Sequence, residues 1–277
     1  MLTGIVAITG LGLIGGSLAR DLAARGVAVL GYDPDPDTVR AALDAGVIAG
    51  TLDPDLGGVE EAEVLIVAAP VGRAPGILAA AAHRLGKLRL VTDVGSTKLG
   101  IARAAEAAGL ARNFVGGHPL AGDHRAGWGA SRTGLFQGAR VFLSPTPATT
   151  PAALDRAREL WSSLGARIEE IDAATHDREI AWVSHLPQTA STALALALAG
   201  AGIGPERLGP GGRDLTRLAG SSPTIWTEIA LENAAEIAPA IQELEHRLHS
   251  IRRALEDRDE RAIREFFTRG REWFGGS

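Results

Sequence analysis

The sequence contains no cysteine. That excludes a disulfide framework, a thiolate zinc site and a cysteine nucleophile. It also lacks an excess of basic charge: 28 Lys and Arg stand against 33 Asp and Glu, for a formal net charge of −5. Nucleic-acid and membrane-surface binders need a basic face, so neither partner is expected. Long apolar runs are missing too. The stretch from Ala193 to Gly204 falls short of the ~20 residues that cross a bilayer and is interrupted by glycine. The N-terminus has no basic segment of the kind that opens a secretory signal. No spacing of residues suggests a metal site, and no lysine follows Lys98. The expectation is a soluble, cytoplasmic chain.

What is present is ample apolar material, 45% of 277 residues, enough for two domains at about 100–200 residues each. Residues 4–9 form a short β-rich run, and a helical pattern follows from Leu13 to Arg25. Val27–Tyr32, Glu63–Ala69 and Lys87–Thr92 read as further strands, with helices over Thr38–Ala45, after Pro70 to Leu85, and over Lys98–Ala108. Strands alternating with helices imply βαβ units and a parallel sheet. SPTPATTP at Ser144–Pro151 resembles a linker, yet a helix (Ala152–Leu164) and a strand (Arg167–Ile171) follow it. The domain boundary is therefore placed at Asp172. From Ala173 the pattern is helical only. Pro223–Phe267 reads as helix for most of its length, bending at Pro239. The expected fold is an α/β Rossmann-type domain with a mostly parallel sheet (1–172), followed by an all-α domain (173–277).

Gly10-Leu11-Gly12-Leu13-Ile14-Gly15 fits G-x-G-x-x-G between a strand and a helix. Gly10 permits the turn, Gly12 lets the backbone approach a pyrophosphate, and Gly15 allows close helix–strand packing. The helix start offers N–H groups to phosphates. Asp33 follows the second strand about 20 residues on, where a carboxylate accepts ribose hydroxyls and repels a 2′-phosphate. This predicts NAD rather than NADP. Backbone at Ala69 and Pro70, ending a later strand, is expected to line the cofactor.

Asp93-Val94-Gly95-Ser96-Thr97-Lys98 and Gly116-Gly117-His118-Pro119 follow neighbouring strands, and both are expected as loops on the cofactor edge. His118 suits general acid–base work, with Ser96 nearby; a buried structural histidine is the competing reading. In the helical half, His185 precedes Leu186-Pro187, Arg213 and Arg217 lie one turn apart, and Trp226 follows Pro223. Arginine suits a carboxylate, although in an acidic protein surface salt bridges are the default. Ile241, Leu244, Leu248, Ile251 and Leu255 form a stripe at coiled-coil spacing. Such a helix packs either on its own domain or on a second subunit.

Five segments then stand in one order: GLGLIGGSLA from Gly10, DVGSTK from Asp93, GGHPLAG from Gly116, HDREIAWVSHLPQ from His176 and RDLTRLAGSSPTIW from Arg213. With them the chain resembles the prephenate/arogenate dehydrogenase family of tyrosine biosynthesis over nearly its whole length. The resemblance implies oxidative decarboxylation of prephenate with NAD. In it His118 draws off the C4 hydroxyl proton, Ser96 holds that hydroxyl or the histidine, and Arg217 grips the ring carboxylate. His185 and Trp226 would line the substrate pocket, and Arg213 would act at the rim or across a homodimer formed by the helical half. Two positions depart from the family pattern. Gln188 stands where relatives often carry a second histidine, and Asp123-His124 follows HPLAG where an acidic residue can occur. A carboxylate there favours arogenate with its ammonium group, whereas His124 favours prephenate; prephenate is the reading preferred here. A hydroxyisobutyrate-type dehydrogenase would need a catalytic lysine in the helical half, and none follows Lys98. A non-catalytic NAD-binding regulator would have no use for His118, Ser96 and Arg217 together.

Overall fold

The computed structural model describes residues 4–122 and 125–276. Its elements in chain order are β1 (Val6–Thr9), α1 (Leu13–Ala23), β2 (Val29–Tyr32), α2 (Pro36–Asp44), β3 (Gly50–Thr51), β4 (Val64–Val67), α3 (Ala74–Leu85), β5 (Leu90–Asp93), α4 (Leu99–Ala107), β6 (Phe114–Pro119), β7 (Arg140–Pro145), α5 (Pro151–Ser163) and β8 (Arg167–Glu170). Helices follow: α6 (Ala173–Ile180), α7 (Leu186–Gly200), α8 (Pro210–Thr216), α9 (Pro223–Glu232), α10 (Ala234–Glu256) and α11 (Glu260–Gly275). None of the described helices is long and apolar enough to cross a membrane.

The strands form one sheet in the order β3-β2-β1-β4-β5-β6-β7-β8. Every pairing is parallel except β6 with β7. The chain runs outward from β1 to β3, then returns to add β4 on the other side of β1. That reversal makes a crevice beyond the carboxyl ends of β1 and β4. Continuous apolar runs are what a sheet covered on both faces requires, and β1 and β4 are buried at all four positions. Alternate residues serve opposite layers. Val6, Ile8, Val64 and Ile66 pack with Leu18, Leu22 and Trp161 on one face. Ala7, Leu65 and Val67 pack with Leu78, Leu85, Ile101 and Phe114 on the other. Helix starts are marked locally. Pro36 and Pro151 occupy first-turn positions, with Asp35 and Thr150 accepting the N–H groups of Asp37 and Ala153.

Several boundaries differ from those read in the sequence. β1, β2 and β5 begin later than their apolar runs, at Val6, Val29 and Leu90; β4 stops at Val67 and β8 at Glu170, whereas β5 runs on to Asp93. The segment Gly116-Gly117-His118-Pro119 is not a loop: it completes β6 and pairs with β7. Glycine is required there because a Cβ on Gly117 would come within 2.6 Å of the Asp93 carbonyl oxygen. The helical stretch Pro223–Phe267 is divided. Asn233 leaves helical geometry after α9, and Arg258, at φ +53°, interrupts the chain before Asp259 caps α11. Pro239 lies inside α10.

The chain packs as two compact units. One holds the residues up to Ile180 together with Gly220–Asn233, and so contains the sheet, α6 and α9. The other holds Ala181–Ala219 and the residues from Ala234 onward, and is entirely helical among the described residues. The change from alternating strands and helices to helices alone falls between β8 and α6.

Candidate functional site

The glycine turn after β1 is built from one close packing and one open space. Gly10 has φ +91°, and a Cβ on it would lie 2.4 Å from the Ala68 carbonyl oxygen. A Cβ on Gly15 would fall 1.9 Å from the Gly10 carbonyl oxygen. The protein's own backbone therefore demands both glycines. Gly12 differs, since a Cβ there would meet no heavy atom within 4 Å. The space in front of it is open, as a group approaching the backbone requires. Leu13 and Ile14 begin α1, whose first turn carries no acidic residue to compete for its N–H groups. Asp33 directly follows β2, and its Oδ2 accepts the Leu11 N–H at 2.8 Å while Oδ1 accepts the Asp35 N–H at 3.0 Å. The carboxylate is thus fastened to the glycine turn. Ala69 and Pro70 follow β4, the strand that flanks β1 at the switch point. This donor set fits a dinucleotide.

Two strands further along, β6 carries His118 at the same carboxyl edge. The side chain is buried. Its Nδ1 lies 2.8 Å from Nε2 of His176, on α6. Nδ1 of His176 lies 2.7 Å from Oδ1 of Asp177. The same carboxylate accepts the backbone N–H groups of Lys98 at 2.7 Å and Leu99 at 2.9 Å. It thereby caps α4, whose own N-cap residue, Lys98, contributes no capping side chain. Asn233 secures this corner by donating to the Asp177 carbonyl oxygen at 2.8 Å. Phe142 of β7 packs edge-on against the His176 ring.

Beneath the turn after β5, the buried Lys98 ammonium contacts Asp93 Oδ2, which also accepts the Gly95 N–H at 2.8 Å. Asp93 Oδ1 accepts the Gly117 N–H at 3.3 Å. The turn that carries Ser96 is therefore tied to β6 at the residue before His118. Burial pulls the Lys98 pKa below its ordinary value, against the attraction of Asp93. Burial likewise holds His176 below 6.5, helped by the Lys98 charge and opposed by Asp177. For Asp177, burial acts upward, but the donors His176, Leu99 and Lys98 outweigh it and keep the carboxyl below 3.8.

The first unit brings together Gly10, Gly12, Leu13, Ile14, Gly15, Asp33, Ala69, Pro70, Ser96 and His118 along one sheet edge. Trp226, half-buried on α9, belongs to the same unit. His185, Arg213 and Arg217 belong to the second unit. His185 is buried at the start of α7, where its carbonyl accepts the Thr189 hydroxyl at 2.9 Å. Arg213 lies on α8 and Arg217 directly after it, both exposed. Gln188 is buried and donates to the Leu218 carbonyl oxygen at 2.7 Å, joining α7 to the turn after Arg217. Asp123 and His124 lie outside the described residues. His176 and Asp177 were missed as individual site residues in the sequence, although both stand inside a motif that supports the family resemblance. Adjacent His and Asp on a helix carry no local sign of a partner 58 residues away. Cavity size does not locate the site either. A surface cavity of about 560 Å³ lined by Arg89, Arg112, Asn113 and Arg156 lies at the amino ends of β5 and β6, the opposite edge of the sheet.

Residues 18–170 match a family model described as prephenate dehydrogenase, nucleotide-binding domain, and residues 172–269 one described as prephenate dehydrogenase, dimerization domain. The chain is 33% identical over 279 residues to a prephenate dehydrogenase of Bacillus subtilis (strain 168), covering 98% of this chain and 75% of that protein. Among solved structures, it resembles the prephenate dehydrogenase of A. aeolicus in complex with hydroxyphenyl propionate and NAD+. The TM-score is 0.89 at 29% identity, over 98% of this chain and 97% of that one. It also resembles Synechocystis arogenate dehydrogenase, with TM-score 0.83 at 28% identity, over 98% and 99% of the two chains.

Proposed function

This chain belongs to the prephenate dehydrogenase family, and from that premise we propose that it converts prephenate to 4-hydroxyphenylpyruvate and CO2 with NAD. The observation that carries the reading is His118. It is buried at the carboxyl edge of the sheet on which the glycine turn opens, and its Nδ1 is engaged by His176. An imidazole so held suits removal of one proton near neutral pH.

Gly10, Gly12 and Gly15, with the first N–H groups of α1, receive the pyrophosphate of NAD. Asp33 receives the adenosine ribose, and its charge disfavours a 2′-phosphate. When bound, NAD supplies the acceptor for the C4 hydride. His118 accepts the C4 hydroxyl proton as the carbonyl forms, and Ser96 holds that hydroxyl. Breaking the bond to the ring carboxylate releases CO2 and leaves its electron pair in the ring, which becomes aromatic. His118 returns its proton to the phenolate oxygen. The ring supplies the driving force, so the residues have mainly to position and to move one proton. Arg217 holds the ring carboxylate by its guanidinium fork. His185, Trp226 and Arg213 are assigned to substrate recognition, as the family resemblance implies.

The likeness to an arogenate dehydrogenase favours a second reading, in which arogenate gives tyrosine directly. Steady-state rates with prephenate and arogenate, each with NAD and NADP, decide between them; prephenate with NAD is expected to give the highest kcat/KM. His118→Asn is expected to lower kcat on the order of 10²-fold to 10⁴-fold. Unchanged turnover in that variant refutes the role given to His118.

The assembly proposed is a homodimer through the helical half. The dimerization-domain match supports it, as do Leu248 and Leu255 on α10 and Phe267, Trp273 and Phe274 on α11, all exposed in the single chain.

A further inference from the structure

We infer that His176 and Asp177 are positioning residues which hold His118 as its Nδ1–H tautomer and so make Nε2 its basic nitrogen. The inference rests on the reading of His118 as the proton acceptor. It follows from counting donors along one chain of contacts. Asp177 is a carboxylate with three donors converging on it: the N–H groups of Lys98 and Leu99, and His176 Nδ1. An ionised carboxylate only accepts, so Nδ1 of His176 carries a proton. A neutral imidazole has one N–H, so Nε2 of His176 is an acceptor. The 2.8 Å contact with His118 then requires the proton on His118 Nδ1.

The reverse assignment would need His176 as a cation donating from both nitrogens. The groups around it disfavour that form. The ring is fully buried against Phe142, and the Lys98 cation lies close enough to act on it. Asp177 and Asp93 pull the other way, and burial outweighs them. When His118 takes a proton at Nε2, its positive charge faces a line of hydrogen bonds that ends in a carboxylate. This is the arrangement of acid, imidazole orientation and base used by hydrolytic triads, with a second imidazole inserted.

Asp177 has a further consequence. By capping α4 it joins the turn bearing Ser96 to the chain bearing His118, so one carboxylate sets the placement of both groups.

The test combines ¹⁵N-histidine NMR with kinetics on the full chain. The chain has seven histidines, and the His118 signals are identified by their loss in His118→Asn. In the wild type, His118 is expected to be protonated at Nδ1 and unprotonated at Nε2. His176→Leu removes the acceptor and is expected to abolish that preference. It should lower kcat about 10²-fold, with the Kd for NAD within about twofold of wild type. His176→Gln can place an amide oxygen near the lost Nε2 and is expected to recover part of kcat. Two results overturn the inference: an Nδ1 without a proton in wild-type His118, or a folded His176→Leu that keeps kcat within about twofold. The wild-type spectrum, once assigned with His118→Asn, needs no substrate. If the enzyme turned over neither prephenate nor arogenate, the functional reading would fail while the tautomer still answered this question.

Discussion

Gly12→Ala and Gly15→Ala make the same chemical change three residues apart and should fail in different ways. At Gly15 the new Cβ falls 1.9 Å from a backbone oxygen of Gly10, and backbone cannot swing aside as a flexible side chain would. Relief requires α1 to move off β1 and lose contacts of Leu18 and Leu22, both fully buried. A loss of about 3 kcal/mol or more is expected, in the range of severe strain or core disruption. At Gly12 the same methyl meets nothing within 4 Å. Alanine restricts the unfolded chain, which stabilises by about 0.4–1 kcal/mol. It is also a poorer N-cap than glycine, which costs a similar amount. The net change should lie within about 1 kcal/mol, a shift of roughly 2–4 °C in Tm at most for a domain of this size. The methyl would instead stand where the pyrophosphate approaches. Loss of one charge-assisted hydrogen bond costs about 1.5–3 kcal/mol, which is roughly a 10-fold to 100-fold rise in the Kd for NAD. Thermal unfolding and calorimetric titration with NAD read the two effects separately. Wild-type affinity in Gly12→Ala, or wild-type stability in Gly15→Ala, would refute the reasoning.

Asp33→Asn removes the charge that repels a 2′-phosphate while keeping an acceptor for the Leu11 N–H; the ratio of kcat/KM for NAD to that for NADP should fall about tenfold or more, and an unchanged ratio would dismiss Asp33 as the discriminator. The depressed pKa of His176 predicts a stability change in mild acid. Below about 6.5 the unfolded chain binds a proton at this residue and the folded chain does not, so stability falls as pH drops. Part of the fall in Tm between pH 7 and pH 5 should therefore vanish in His176→Leu, and identical pH profiles would contradict the assignment. Leu248→Glu combined with Leu255→Glu places charge on the exposed face of α10. Analytical ultracentrifugation should find the wild type dimeric and the double variant monomeric, whereas a monomeric wild type would end the dimer proposal.

The sequence determined by itself whatever depends on local backbone rules and on period. Gly10, Gly12 and Gly15 between an apolar strand and a helix, with Asp33 one strand later, announce a dinucleotide site because few residue types tolerate those conformations and approaches. Alternating βα units announce the parallel sheet, and the five ordered segments announce the family. The division of the chain beyond Pro223 was not read from the sequence: Asn233 leaves helical geometry after α9, and a second break falls at Arg258, whose φ is +53°, inside the charged run 256–261. Tertiary structure alone decided the environment of His118. It drew the GGHP segment into β6 by pairing it with β7, where a Cβ on Gly117 would lie 2.6 Å from the Asp93 carbonyl oxygen. It brought α6 against β7, so that His176 meets a histidine 58 positions away and Asp177 caps a helix 79 positions away. Contacts across such separations depend on how layers stack and leave no trace in periodicity or in turn chemistry. Composition supplied a histidine, but only the folded chain decides which of its nitrogens carries the proton.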